Sequence, residues 1–291
     1  MTLPYRPWLV RLAARERLSP SFVRLTLAAP DLAHCAPTLL DQRVKLVVGA
    51  GLERLVACED WWAAWVGGAA EQAVMRTYTL AAVRPERGEV DVDVVVHDDP
   101  GSEVGSPSGA GDGSGFGLGP ISTWALRAAV GTRCVLVAAD VRYPGHDAAG
   151  VAWRPNGARD VLLVGDETAL PAIANIAAVL PPAMTGTIVL EVPVAGDVRD
   201  LATPAGVNVT WCIRARGESA ADAVAFPAAT PVDPEEDLLW DEGSGEADGW
   251  YGWVAGEAGM VRRLRAMARA AGVSRDRISF MGYWKQGVAQ A

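Results

Sequence analysis

Two short segments of the first half carry residue types that bind flavins and nucleotides. Arg76-Thr77-Tyr78-Thr79 opens a predicted strand. A guanidinium can hold a phosphate through two hydrogen bonds, and a tyrosine two residues further on shares its strand face and can pack on a flat ring. Gly119-Pro120-Ile121-Ser122 opens a predicted helix, where free N–H groups and the helix dipole favour an anion. Each segment alone also has a purely structural interpretation: an edge-strand charge for the first and an ordinary helix N-cap for the second.

Two further segments follow predicted strands of the second half. Gly165-Asp166-Glu167-Thr168-Ala169-Leu170-Pro171-Ala172 joins an apolar strand to a helix, and Gly256-Glu257 joins the next such pair. Open parallel sheets bind ligands at the carboxyl ends of their strands, so both segments lie where a flavin or nucleotide would bind. Neither contains the glycine-rich dinucleotide fingerprint, so general rules do not identify the ligand.

The elements that must position these residues differ between the two halves. The first half alternates with period two and is rich in turns, which predicts a small six-stranded antiparallel barrel and one helix between Gly119 and Gly131. A Gly/Ser-rich stretch, 100–117, is expected to be a flexible surface loop. The predicted strands are Trp8–Ala14, Phe22–Ala28, Arg43–Val48, Arg76–Val83, Val90–His97 and Arg133–Ala138.

The second half alternates apolar strands with helical segments, which predicts a doubly wound parallel sheet. Helices are expected over Pro171–Leu180 and from about Glu257 to Ala271, the latter with Arg262, Arg263, Arg265 and Arg269 on exposed turns. The predicted strands are Val161–Gly165, Thr187–Val192, Val207–Ile213, Trp250–Ala255 and Ile278–Met281. The fold class is therefore β followed by α/β, with domains over 1–150 and 151–291.

Composition narrows the class of protein further. The chain has 291 residues, half of them hydrophobic, with no apolar run of membrane-spanning length and no targeting segment, so we expect a cytoplasmic globular protein. A net charge of −9 argues against nucleic acid as a partner. Much of that charge lies in the acidic stretch 231–248, interpreted as a solvated loop. Four scattered cysteines and three histidines predict neither a disulfide scaffold nor a protein-ligated metal.

In this order and spacing, the motifs RTYT, VVVH, GPxSxWA, GDETALPAIxxI, VAGEAGxVRxLR and ISFMGYWKQG resemble the siderophore-interacting protein family. Its members are FAD-dependent ferric-siderophore reductases related to ferredoxin reductases. The resemblance covers about Val10 to Gly287 and implies a FAD-binding barrel followed by an NAD(P)H-binding α/β domain. It implies that electrons pass from NAD(P)H through FAD to a ferric siderophore, and that the released Fe(II) enters cellular iron use.

The resemblance also implies roles for particular residues. The flavin ring and its ribityl-phosphate arm are expected at Arg76, Thr77, Tyr78 and Thr79, and its pyrophosphate and adenine at His97, Gly119, Ser122 and Trp124. Asp166, Glu167, Thr168 and Ala169 are expected beside the ring, Gly256 and Glu257 at the nicotinamide nucleotide, and Tyr283 and Trp284 closing the crevice. Arg43, Lys45 and Lys285 are candidates for meeting an anionic siderophore; solvated surface charge is the alternative.

Three departures from the family pattern leave alternatives open. Ala81 stands where an arginine is common, an insertion of about 18 residues follows the motif that begins at His97, and Ile121 and Thr123 replace a smaller residue and an arginine. A general NAD(P)H:flavin reductase and a non-catalytic flavin- or siderophore-binding protein therefore remain alternatives. NADH, NADPH and reduced ferredoxin are all open as donors; Arg214 and Arg216, after a strand end, are candidates for holding a 2′-phosphate. We expect a monomer.

Overall fold

The structure, a computed structural model, describes residues 4–96, 119–227, 240–243 and 249–287. The chain forms two compact units, the first made of Met1–Pro37 and Val44–His146 and the second of Thr38–Arg43 and Asp147–Ala291. The predicted loop 100–117, His97 and most of the acidic stretch 231–248 lie outside the described residues.

The first unit is a closed barrel of six antiparallel strands, as predicted. Its order is β1-β2-β5-β4-β3-β6, and closure removes the exposed strand edges that an open sheet would leave. The strands are β1 (Tyr5–Ser19), β2 (Phe22–Ala28), β3 (Arg43–Val48), β4 (Val74–Arg84), β5 (Glu89–Val95) and β6 (Arg133–Ala139).

The two faces of the barrel strands differ as the period-two pattern predicts. On β2, Val23, Leu25 and Leu27 are buried. Arg24, from the opposite face, donates both Nε and Nη2 to the Asp93 carboxylate at 2.7 and 2.9 Å. The Asp91 carboxylate accepts from Arg84 of β4. Charge pairs on the outer face and apolar residues inside therefore fix the strand register.

Two short helices, absent from the sequence prediction, lie between β3 and β4. They are α1 (Leu52–Ala57) and α2 (Trp61–Val66), and the Asp60 carboxylate caps α2 by accepting the Ala63 N–H at 2.9 Å. Leu52, Leu55 and Trp61 pack with Val47 of β3 and with Val135 and Val137 of β6. The helices thus cover an apolar outer face of the barrel that would otherwise be exposed.

Helix α3 (Pro120–Arg127) ends before Gly131, as predicted. It packs against β2, β4 and β5. The Ser122 hydroxyl donates to the Val95 carbonyl at 3.1 Å, which ties the first turn of α3 to the end of β5.

The second unit is built on a six-stranded sheet of order β10-β12-β11-β7-β8-β9, in which all pairs except β10–β12 are parallel. The first strand of the unit, β7, therefore lies in the interior of the sheet. The strands are β7 (Asp160–Gly165), β8 (Thr185–Val192), β9 (Gly206–Ile213), β10 (Trp240–Asp241), β11 (Trp250–Glu257) and β12 (Ile278–Trp284).

Helices cover this sheet as a parallel sheet requires. They are α4 (Leu170–Val179), α5 (Ala220–Ala223) and α6 (Ala258–Ala270). One cluster joins α5 and α6 to Leu162, Val164 and the alternate residues of the neighbouring strands. Helix α4, whose residues are not part of that cluster, packs against β7.

One predicted surface residue of α6 is buried. Arg262 and Arg263 are exposed as expected, but Arg265 is only 6% exposed. Its guanidinium carbon lies 5.0 Å from the centre of the Phe280 ring, so the charge is held against an aromatic face of β12. The expectation that Arg265 lies on an exposed turn is wrong, because its position falls on the stripe formed by Val261, Leu264 and Ala268.

The segment 38–43 belongs to the second unit although the sequence prediction assigned it to the first domain. Buried Asp41 accounts for this. Its carboxylate accepts the N–H groups of Ala152 (3.1 Å) and Trp153 (3.2 Å) and the indole N–H of Trp253 (3.0 Å). Three donors from distant parts of the chain therefore hold this segment.

The four cysteines are free thiols, and Cys58 alone is exposed. In the part of the chain that the structure describes, no group of three or more His, Cys, Asp or Glu side chains could hold a metal ion. Within the same residues, no helix is both long and apolar enough to cross a membrane.

Candidate functional site

The barrel presents Arg76 on β4 as a cation with spare hydrogen-bonding capacity. Arg76 is half-buried, and its Nη1 donates to the neighbouring Met75 carbonyl at 2.7 Å. Among the described residues, none accepts from its other four N–H groups and no carboxylate pairs with it. Arg84, on the same strand, is instead paired with Asp91 and Glu89. Arg76 is therefore the β4 arginine that could hold an anionic ligand.

The neighbours of Arg76 on β4 form the rest of the RTYT motif. Tyr78 lies two residues on, and burial raises the pKa of its phenol. Thr77 accepts a hydrogen bond from Lys45 Nζ at 2.7 Å, which links β4 to β3, and Thr79 is buried. Lys45, predicted to meet a siderophore, is thus half-buried and held beside the motif.

The predicted anion site is the start of α3. Gly119 is the N-cap, and no side chain of a described residue caps the helix there. Ser122 does not fill that place, because its hydroxyl bonds Val95. Trp124 is half-buried in the same helix. Among the predicted contacts, His97 lies outside the described residues.

In the second unit, the Asp166 carboxylate joins three chain segments. Oδ1 accepts the backbone N–H (2.8 Å) and the hydroxyl (2.6 Å) of Thr168; Oδ2 accepts the Glu257 N–H and the Trp284 indole N–H, both at 2.7 Å. Asp166 is 1% exposed, and burial, with a smaller contribution from the Glu167 charge, raises its pKa to about 6. The predicted residues Asp166, Thr168, Glu257 and Trp284 therefore meet at the carboxyl ends of β7, β11 and β12.

Small residues make this convergence possible. A Cβ at Gly256, whose φ is +144°, would lie 2.7 Å from the Asp166 Cγ. At the end of β7, a Cβ on Gly165 would lie 2.6 Å from the Cβ of buried Ala169, the N-cap of α4. Both glycines are therefore required by close packing at the strand ends.

The Glu257 carboxylate caps α6. It accepts the N–H groups of Gly259 and Met260, and the Gln286 N–H lies 3.3 Å from its second oxygen. A protein carboxylate therefore already occupies the anion-binding end of this helix. The predicted contact of Glu257 with a nicotinamide nucleotide is left as a prediction.

Glu167, which follows Asp166, is completely buried against a cation. It pairs with Arg214 through two hydrogen bonds (2.6 and 3.2 Å), and Arg214 Nε also donates to Glu191 at 2.8 Å. Arg214 was a candidate for holding a 2′-phosphate. Its guanidinium is instead held by two carboxylates, which leaves Arg216, an exposed residue, as the remaining candidate.

An aromatic row extends from the end of β12. Tyr283 stacks on Trp240 (centroids 6.2 Å apart, planes at 21°) and meets Trp253 edge-on at 6.4 Å. The Arg43 guanidinium carbon lies 4.5 Å from the centre of the Trp240 ring, and Arg43 Nη2 lies 3.7 Å from Glu242 Oε1. Arg43 is thus held by the second unit's own residues, whereas Lys285 is exposed. The siderophore roles of both residues stay predictions.

A cavity of about 510 Å³ lies elsewhere in the second unit. Its lining includes Asp160, Thr185, Gly206 and Trp250, which are at the amino ends of their strands. It is therefore at the opposite edge of the sheet from the residues around Asp166.

The fold, with one group of residues around Arg76 and another around Asp166, is typical of proteins in which a flavin-binding barrel is followed by a nucleotide-binding sheet. Comparisons with known proteins identify the family. The siderophore-interacting FAD-binding domain matches residues 11–143, and the siderophore-interacting protein model matches 158–287. The chain belongs to the siderophore-interacting protein family, and its cofactor is FAD.

Three relatives illustrate the similarity. Ferric vibriobactin reductase ViuB of Vibrio cholerae is 25% identical over 285 residues, which are 97% of this chain and 90% of the relative. The siderophore-interacting protein SipS from Aeromonas hydrophila has a TM-score of 0.64 at 25% identity, covering 98% of this chain and all of that one. A siderophore utilization protein from T. fusca has a TM-score of 0.64 at 23% identity, covering 99% and 96% of the two chains, and supports the fold.

The barrel residues fit FAD. A half-buried guanidinium with four N–H groups lacking acceptors among the described residues matches a phosphate, and the uncapped start of α3 offers backbone N–H groups to a second one. Arg76 and the Gly119 turn would hold the pyrophosphate arm, and Tyr78 offers a ring for stacking.

Sequence reasoning missed two residues at these sites. Asp41, which holds Trp253, and Glu191, which holds Arg214, both appear as single acids without a motif. Their partners are distant in sequence. For Glu191 a signal existed, because an acidic residue near the end of the second parallel strand is a known feature of nucleotide-binding sheets.

Proposed function

We propose that this protein is a FAD-dependent ferric-siderophore reductase that takes its electrons from a reduced nicotinamide nucleotide. The observation that carries the proposal is the spare guanidinium of Arg76 in a barrel of the siderophore-interacting FAD-binding type. The name of the relative ViuB, a ferric vibriobactin reductase, supports the substrate class.

The chain's own residues would bind and orient the reactants. Arg76 and the Gly119 turn would hold phosphates, and Tyr78 would pack on the flavin ring. The Asp166 carboxylate fixes Thr168, Glu257 and Trp284 relative to one another, so the ends of three strands form one rigid surface for the donor nucleotide. Lys45 would place a positive charge near an anionic ferric complex.

When bound, FAD supplies hydride acceptance and one-electron transfer, which no side chain in the site can provide. One nicotinamide hydride carries two electrons and therefore reduces two ferric ions. Siderophores bind through hard oxygen ligands, which hold Fe(II) less tightly than Fe(III), so reduction releases the metal from its carrier.

The test is anaerobic reduction of the FAD-loaded protein. NADH or NADPH is added first, then a ferric hydroxamate or catecholate siderophore with a ferrous chelator. We expect flavin absorbance to disappear with the nucleotide and to return as two ferrous ions form per nucleotide oxidised. A matched pair of variants, Arg76→Ala and Arg84→Ala on the same strand, separates a ligand-binding arginine from one used in a barrel ion pair.

Each alternative gives a different result. A protein that cannot be loaded with FAD contradicts the proposal. If free flavin is reduced well and ferric siderophore poorly, the protein is a general flavin reductase. If the siderophore binds but no nucleotide is oxidised, while dithionite still reduces the flavin, the protein is a binding protein without this donor.

A further inference from the structure

Three side chains of the second unit, Glu167, Glu191 and Arg214, form a hydrogen-bonded group, here called the arginine–glutamate cluster. Arg214 Nη1 and Nη2 donate to Glu167, and Nε donates to Glu191. The second oxygen of Glu191 accepts the Ala220 N–H at 2.9 Å. Glu167 is fully buried and Glu191 is 13% exposed at the side chain, whereas the Arg214 side chain is 41% exposed, so one side of the cluster is open to solvent.

The cluster lies along the edge of the sheet where nucleotides bind. The sheet order reverses at β7, which has β11 on one side and β8 on the other. Glu167 follows the carboxyl end of β7, Glu191 lies near the end of β8, and Arg214 follows the end of β9. In doubly wound sheets, an acidic residue at the second strand accepts hydrogen bonds from the 2′-hydroxyl of an adenosine ribose, while a nearby arginine accommodates a 2′-phosphate.

The charges of the cluster favour a ribose 2′-hydroxyl over a 2′-phosphate. Two carboxylates and one guanidinium give a formal charge of −2 + 1 = −1, and every nitrogen of the guanidinium already donates to a carboxylate. A phosphate monoester brings a further charge of about −1.5 to −2 at neutral pH. By contrast, each oxygen of Glu191 can accept another hydrogen bond, because a carboxylate oxygen has two acceptor positions.

Resting on the proposed function, we propose that the arginine–glutamate cluster selects a donor without a 2′-phosphate, so that the protein uses NADH in preference to NADPH. Glu191 accepts from the ribose 2′-hydroxyl. Glu167 and Glu191 together keep Arg214 from pairing with a phosphate. This replaces the sequence-based hypothesis that Arg214 holds that phosphate.

The test compares fragments that differ only in the 2′-phosphate. Isothermal titration of the FAD-loaded protein with adenosine 5′-monophosphate and with adenosine 2′,5′-bisphosphate gives two dissociation constants without any turnover. We expect the monophosphate to bind at least about tenfold more tightly, which corresponds to about 1.4 kcal/mol. The same order is expected for NAD⁺ over NADP⁺.

Two variants show whether the cluster is the cause. Glu191→Gln removes one of the two charges and is expected to lower the ratio of the two dissociation constants at least fivefold. Glu86→Gln, an exposed carboxylate of the barrel unit, is the matched control and should leave the ratio within about twofold. A ratio that does not change in Glu191→Gln overturns the inference.

Failure of the inference and failure of the proposed function are distinguishable. If the bisphosphate binds equally or more tightly and NADPH reduces the flavin, the inference is overturned while the reductase stands; loss of that binding in Arg216→Ala would then identify the phosphate ligand. If neither fragment binds and neither nucleotide reduces the flavin, although dithionite does, the nicotinamide donor and the inference fail together.

Discussion

The buried carboxylate of Asp166 provides the sharpest test of the electrostatics at the strand ends. An unfolded chain ionises this group near pH 3.8, whereas the folded protein ionises it near pH 6. Between these values the folded state holds a proton that the unfolded state has lost, so stability falls as the pH rises. The whole loss is present above pH 6 and amounts to about 3 kcal/mol, since one pKa unit corresponds to about 1.4 kcal/mol.

Asp166→Asn removes the charge and keeps the shape. The amide resembles a protonated carboxyl group in having one accepting oxygen and a donor on the other side. Its oxygen can serve Glu257 and Trp284, and its NH₂ can donate to the Thr168 hydroxyl, which leaves the Thr168 N–H facing a second donor. A protonated Asp166 has the same defect, so the variant and the wild type should be about equally stable at pH 4.

At pH 7.5 the outcome should differ. There the wild type carries the full cost of the buried charge and the variant does not, so we expect Asp166→Asn to be more stable by about 2 to 3 kcal/mol. Urea unfolding followed by tryptophan fluorescence at both pH values measures this. The exposed Asp276→Asn is the control and should show the same difference from the wild type at both pH values.

An opposite result would be informative. If Asp166→Asn were less stable than the wild type by more than about 1 kcal/mol at pH 7.5, the four donated hydrogen bonds would outweigh desolvation. If the two proteins were also equally stable at pH 4, this result would contradict the prediction, because the folded pKa of Asp166 would have to lie below 3.8. A gain in stability would instead show that the charge is retained at the expense of folding, as is common at functional sites.

Three other predictions follow from packing and charge. Arg76→Ala should weaken FAD binding about tenfold to a hundredfold, measured by fluorescence titration, whereas Arg84→Ala should lower barrel stability and leave FAD affinity unchanged. Gly256→Ala should lower the free energy of unfolding, measured in urea, by about 1 to 3 kcal/mol. The new Cβ would overlap Asp166, and the φ at this position is unfavourable for alanine. Arg265→Ala should lower the free energy of unfolding by about 1 to 3 kcal/mol, and Arg262→Ala should lower it by less than about 0.5 kcal/mol. Equal losses in the two variants would contradict this prediction.

The sequence was sufficient for elements whose pattern is local. Strand β2 alternates between Val23, Leu25, Leu27 and polar residues, and β7 is an apolar run ending in glycine, so both were predicted from period and turn chemistry alone. Helix α6 was predicted from about Glu257 to Ala271 with Gly272 at its end, and the structure has it over Ala258–Ala270.

What the sequence could not show depends on partners distant along the chain. Helices α1 and α2 have six residues each, too short to form without the apolar outer face of the barrel. The segment 38–43 joins the second unit because Asp41 finds donors more than 100 positions later. Arg265 was predicted to be exposed because charge usually indicates solvent, whereas in the structure it lies on the buried stripe of α6 and its guanidinium packs on Phe280 of another element.

The same distinction applies to the candidate site. The family resemblance predicted Asp166, Glu167 and Glu257, all of which follow strand ends, as ligand contacts. In the structure, Asp166 joins three segments, Glu167 holds Arg214 and Glu257 caps α6. Carboxylates with these partners can shape a nucleotide site without touching its phosphates. Stability and ligand affinity should therefore separate in their variants: Asp166→Asn should gain stability at neutral pH, and Glu191→Gln, on the same edge of the sheet, should change nucleotide preference.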